Sequence, residues 1–195
     1  TPAEIARIFR YFLWGAFLLF LGLALFAREL LVIFTTPQFY DAYMIVPILV
    51  PAIMLAGMYV FAPGLAIAKR TKIIAAISIS AAFLNTGFNF ALIPYLGTKG
   101  SALATLIGAT LQFALYVWLG NKHYPIPFEW KRYAKALGIV LVLVIGGGFI
   151  QASFWTGIMI KVLISVVGFI IVTWIMIDYA EIKRIKKLAL RKGRF

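Results

Sequence analysis

Asn85-Thr86-Gly87-Phe88-Asn89-Phe90-Ala91-Leu92-Ile93-Pro94-Tyr95-Leu96-Gly97-Thr98-Lys99-Gly100-Ser101-Ala102-Leu103-Ala104-Thr105-Leu106-Ile107-Gly108 is the stretch whose reading decides the fold. An apolar helix carrying two asparagines four residues apart is expected to end at Pro94, because proline offers no N–H and restricts Ile93 before it. Gly97 and Gly100 permit the backbone angles of a tight turn. A second helix opens with small residues at Gly100, Ala104 and Gly108, where another helix can come close. The pattern is that of a helical hairpin in a membrane.

The remaining composition fits that reading. Hydrophobic residues are 64% of the 195, and the mean hydropathy is +0.99, well above the usage of soluble domains. Cysteine is absent, which excludes disulfides, thiol catalysis and Cys-ligated metals. The net charge of +13 does not form a nucleic-acid patch, because the basic residues sit between apolar runs and in the last eighteen residues. The chain starts at Thr1 with no secretory signal layout, and reads as a fragment or processed piece.

Six apolar runs approach the twenty residues a helix needs to cross about 30 Å of hydrocarbon. They lie at 11–34, 43–68, 73–93, 101–120, 136–155 and 157–177, forming an all-α, six-span transmembrane bundle over residues 1–177. Residues 178–195 read as a basic amphipathic tail along an anionic membrane face. Pro63-Gly64 is expected to bend the second run, and Gly146-Gly147-Gly148 reads as a hinge or close-packing point in the fifth. If the runs alternate in direction, sixteen of the nineteen basic residues fall on one side and only Arg28, Lys99 and Lys161 on the other. The positive-inside rule then places both termini in the cytoplasm. Aromatic clusters at Tyr11, Phe12 and Trp14, at Phe39, Tyr40 and Tyr43, at Tyr116 and Trp118, and at Trp155, Trp174 and Tyr179 read as interfacial belts.

No catalytic constellation is visible. The six acids lie outside the runs or near their ends, and His123, the single histidine, has no acidic partner at metal spacing. No cofactor and no enzymatic activity are expected. The polar residues within the runs are uncharged, and Asn85 and Asn89 project from one helix face. Amides in lipid need partners, so that face meets either another helix or a polar cavity. Lys161, about one turn inside the last run, either snorkels or holds an anionic head group.

Tyr40-Asp41-Ala42-Tyr43, Val46-Pro47-Ile48-Leu49 and Pro63-Gly64-Leu65-Ala66-Ile67-Ala68-Lys69-Arg70-Thr71-Lys72 occur in order before the quoted stretch. Leu92-Ile93-Pro94-Tyr95-Leu96-Gly97 and Gly100-Ser101-Ala102-Leu103-Ala104-Thr105 occur within it. This ordered set, over about residues 5–150, resembles the polysaccharide-biosynthesis flippases of the multidrug/oligosaccharidyl-lipid/polysaccharide exporter superfamily. Ser101 stands where that pattern has Ala, and Thr98-Lys99 fills the turn. The resemblance implies the C-terminal part of a two-lobed transporter of twelve to fourteen helices, working with the remaining N-terminal helices of the same molecule. It implies translocation of lipid-linked oligosaccharide or polysaccharide precursors across the cell membrane by alternating access. In that setting Asn85, Asn89 and Gln112 become sugar-facing amides, and Arg28, Lys99 or Lys161 attract phosphate. A small-molecule or multidrug exporter of the same superfamily and a non-transporting six-span scaffold are the competing readings.

Overall fold

A computed structural model describes residues 1–149 and 154–177, and no strand occurs among the described residues. The helices are α1 (Pro2–Leu25), α2 (Ala27–Phe34), α3 (Val46–Gly57), α4 (Gly64–Ile67), α5 (Thr71–Leu96), α6 (Thr98–Asn121), α7 (Trp130–Gly148) and α8 (Phe154–Met176). Short 3-10 turns at Pro37–Met44 and Met58–Phe61 flank α3. Among the described residues five stretches are long and apolar enough to cross a membrane by length and composition: Pro2–Leu25, Val46–Ile67, Thr71–Leu96, Thr98–Asn121 and Trp155–Met176. Large apolar side chains stand exposed along them, among them Phe83, Phe90, Leu163 and Phe169, as a lipid-facing surface requires.

The differences from the sequence reading have local causes. The first run starts at Pro2 rather than residue 11, because Thr1 caps the helix and Glu4 completes a capping box around Pro2 at the first position. It bends at Phe26, whose N–H still reaches Gly22 O at 3.0 Å and whose carbonyl still accepts from Leu30 at 2.9 Å. The rod expected over 11–34 is therefore two helices. In the second run the interruption precedes the Pro63-Gly64 pair. Hydrogen bonding tightens after Gly57, and Ala62 leaves the helical region (φ −114°, ψ 58°) because the Pro63 ring crowds the residue before it.

Pro94 does not end its helix. It lies in the last turn of α5, which continues to Leu96, where Gly97 N–H reaches Ile93 O at 2.8 Å. Gly97 alone makes the turn, at φ 55° and ψ −133°, a region that only glycine enters at low cost. The fifth expected span is described as far as residue 149, and its described part is not among the five stretches above. Its helix, α7, carries Lys131, Arg132 and Lys135 in its first turns, which leaves residues 136–148 as its uninterrupted apolar part. Residues 150–153 of that span, and the basic tail at 178–195, lie outside the described residues.

The chain packs as two compact units. The first holds Thr1–Phe9 and Gly22–Phe128, and in it α6 packs against both α3 and α5. A Cβ on Gly100 would lie 2.5 Å from the Leu92 carbonyl oxygen, so glycine is required there by contact with α5 rather than by turn geometry. A Cβ on Gly64 would likewise run into the Gly120 carbonyl, at the other end of α6. Ala62, Leu65, Ile77, Tyr116 and Val117 form a buried cluster near that end. Phe9 caps it, with ring centroids 5.3 Å from Phe61 and 4.9 Å from Phe128. Tyr116, expected at the interface, is buried here, with its hydroxyl 3.2 Å from Ser78 Oγ.

The second unit joins Arg10–Leu21 of α1 to the chain from Glu129 onward. Here Trp14 Nε1 donates to Thr173 Oγ1 at 3.0 Å, and Val140, Val172 and Met176 are fully buried. A Cβ on Gly168 would meet the side-chain ends of Leu21 and Leu143.

Three substitutions check this packing by thermal unfolding in detergent. Gly100→Ala is expected to destabilise by about 1–3 kcal/mol, because the obstacle is backbone, whereas Gly87→Ala, with open space around it, is expected to be neutral or stabilising by up to about 1 kcal/mol. Lys69 closes α4 at φ 54°, with Lys69 N–H on Ala66 O and Arg70 N–H on Leu65 O, so Lys69→Gly is expected to stabilise by about 1 kcal/mol.

Candidate functional site

The α5–α6 hairpin positions the polar residues singled out in the sequence. Asn89 Nδ2 donates to the Asn85 carbonyl at 2.9 Å and to Asn85 Oδ1 at 3.0 Å, so the pair is linked along one helix. Asn85 lies over Gly108, where a Cβ would stand 3.3 Å from the asparagine Cβ. The glycine thus gives the amide its room against α6. Asn89 Oδ1 is shielded and has no hydrogen-bond partner. A shielded acceptor without a donor is costly, and such groups mark places where a ligand or water completes the bonding.

Asn89 also lines an open groove of about 400 Å³ on α5, together with Thr86, Phe90, Ile93 and Pro94. Pro94 supplies no N–H to the Phe90 carbonyl four residues earlier, so a backbone acceptor at the same end loses its usual helical donor. Among the described residues α5 buries only Ile77 and Ala81 below one tenth exposure, and Phe83 and Phe90 are 75% and 79% exposed. This is a greasy helix face with unsatisfied acceptors, and its chemistry suits a ligand that offers hydroxyl donors on an apolar body.

The other predicted residues are distributed. Gln112 is half-buried on α6, one turn beyond Gly108 in the row of Gly100, Ala104 and Gly108. Arg28 is exposed on α2, and Lys99 is exposed at the start of α6. Lys161 is half-buried in α8, where its carbonyl accepts from Ser165 Oγ at 2.8 Å. Of these residues only Asn85 and Asn89 are brought together. Pro63 and Gly64 open α4, and Gly146, Gly147 and Gly148 form the last turn of α7, with Gly147 buried and open space beside the other two. His123 Nδ1 lies 3.1 Å from the Leu119 carbonyl, and no group of acidic or imidazole side chains among the described residues can hold a metal.

One ionic cluster was hardly legible in the sequence. Arg10 is 5% exposed, and its Nη1 lies 3.6 Å from Glu129 Oε2. The same carboxylate oxygen accepts from Arg132 Nη1 at 2.9 Å, and Arg132 Nε donates to the Ile175 carbonyl of α8. Glu129 is the only acid in a basic loop, and its position there was the one hint of such a role. Burial raises the pKa of the adjacent Tyr133 phenol, so it stays neutral beside these charges at physiological pH.

Glu129→Gln removes a carboxylate charge from beside the buried Arg10. Because the Glu129 side chain is 46% exposed, the expected loss is about 1–2 kcal/mol, below that of a fully buried pair, and thermal unfolding against Asp41→Asn as a surface control measures it.

No protein-family model matches this chain, and neither does any curated protein or solved structure.

Proposed function

We propose that the chain is part of a transporter that moves lipid-linked oligosaccharide or polysaccharide precursors across the cytoplasmic membrane by alternating access. The observation that carries the reading is Asn89, whose shielded Oδ1 lacks a donor while the residue lines an apolar groove on the sparsely covered α5. A sugar brings hydroxyl donors to such an acceptor, and its less polar face stacks on an aromatic ring such as Phe90. The polyprenyl tail stays in the hydrocarbon that surrounds the same helix.

Several further features support this reading. The ordered flippase-like motifs end in this hairpin, so the resemblance and the groove coincide in one place. The exposed face of α5 is suited to a second lobe, built from the remaining N-terminal helices of the transporter. Rocking of two lobes about such a face alternately opens a cavity to each side. Arg28 and Lys99 are exposed and supply positive charge for a pyrophosphate linkage.

The test is glycolipid translocation by the intact transporter carrying Asn85→Ala and Asn89→Ala, at matched expression and melting temperature. Loss of two hydrogen bonds to substrate, each of about 1–1.5 kcal/mol, is expected to slow translocation roughly tenfold or more. Undiminished translocation removes the amides from the site. Transport of cationic dyes in place of glycolipid by the unaltered protein shifts the reading to a small-molecule exporter.

A further inference from the structure

A second cavity, of about 680 Å³, lies where the start of α7 meets the end of α8. Lys131, Arg132, Lys135, Gly138, Trp174 and Ile175 are among its lining residues, and none of the described residues that line it is acidic. The Arg132 guanidinium is fixed in the wall by Glu129 and by the Ile175 carbonyl. Lys131 and Lys135 are different. Both are exposed, they stand one helical turn apart, and neither is ion-paired among the described residues. Two ammonium groups at that spacing repel each other unless an anion lies between them.

The cavity is not merely cationic. Trp174 is 82% exposed at the end of an apolar helix, which is where indole rings sit at a membrane–water boundary. Below the lysines the wall turns apolar at Gly138 and Ile139, and a Cβ at Gly138 would meet nothing within 4 Å. Charge at the mouth, an indole at the rim and open space beside an apolar wall match a molecule that is anionic at one end and greasy at the other. A free phosphate ion uses only the first of these.

We propose that this cavity seats an anionic phospholipid, with its phosphate between Lys131 and Lys135, its glycerol region against Trp174 and an acyl chain passing Gly138. The site is separate from the α5 groove and does not depend on the transport reading.

The experiment titrates the full chain in neutral detergent with phosphatidylglycerol, phosphatidylcholine or inorganic phosphate, and counts retained ligands by native mass spectrometry. Phosphatidylglycerol is expected to be retained in preference to phosphatidylcholine. With each lysine near a lipid surface contributing on the order of 1 kcal/mol, Lys131→Gln with Lys135→Gln is expected to weaken that retention by roughly tenfold or more. Gly138→Leu, which puts a side chain into the open space beside Gly138, is expected to weaken it while both lysines remain. Lys186→Gln with Lys187→Gln, in the basic tail, is expected to leave most of the preference intact. Equal retention of the two lipids, or retention unchanged in the α7 lysine variant, overturns the proposal. So does displacement of the lipid by inorganic phosphate at matching concentration, which assigns the site to the free ion.

Discussion

Helices in a bilayer gain nothing from hiding apolar surface from water, because lipid tails are as apolar as leucine. Their association depends on how closely two backbones can approach, and in this protein that constraint is met by glycine. Gly100 touches the Leu92 carbonyl of α5, and Gly64 of α4 touches the Gly120 carbonyl of α6. Between those ends Ala104 and Gly108 keep the α6 surface shallow, so α6 becomes the element against which both α3 and α5 pack. The position of Asn85 follows from the same constraint, since its side chain occupies the space that the missing Gly108 side chain leaves.

The polar atoms of the chain fall into two groups. Arg10, Glu129 and Arg132 form an ionic cluster in the second unit, with Arg132 also donating to the Ile175 carbonyl, so the buried cation lies beside a carboxylate. Asn89 is only partly satisfied, in a helix whose outer face is otherwise large and apolar. Charge pairing between helices suits a structural contact. Partial satisfaction beside a groove costs stability and is retained more readily where something binds. The coincidence of a shielded acceptor with a groove, rather than the number of polar residues, marks the α5 face. The lysines of α7 carry the opposite imbalance, of charge rather than hydrogen bonding, at a separate place.

Proline illustrates how local chemistry and helix packing compete. Pro47 starts α3 and Pro51 lies within it, yet α3 continues. Pro94 leaves the Phe90 carbonyl without a helical donor, yet α5 runs on until Gly97. The loss of one hydrogen bond near a helix end is offset by packing on a neighbouring helix. Pro63 acts differently because it crowds Ala62, and the chain has already slipped into 3-10 geometry after Gly57.

The sequence by itself determined the all-helical class, the place of the α5–α6 hairpin and the residues small enough to let helices touch, because apolar run length and glycine spacing are properties of the linear chain. Four expected runs, 43–68, 73–93, 101–120 and 157–177, correspond to apolar stretches long enough to cross a membrane. Helix ends were less legible. The Thr1–Glu4 capping box lengthened the first helix, and hydropathy does not register capping hydrogen bonds. Three cations occupy the first turns of α7, so that helix begins before its apolar run does. Tertiary structure alone decided that Tyr116 is core rather than interface, that Asn89 keeps an unpartnered oxygen, and that Arg10 meets Glu129. Those outcomes depend on which helix faces which, and residues more than a hundred positions apart meet only when that is settled.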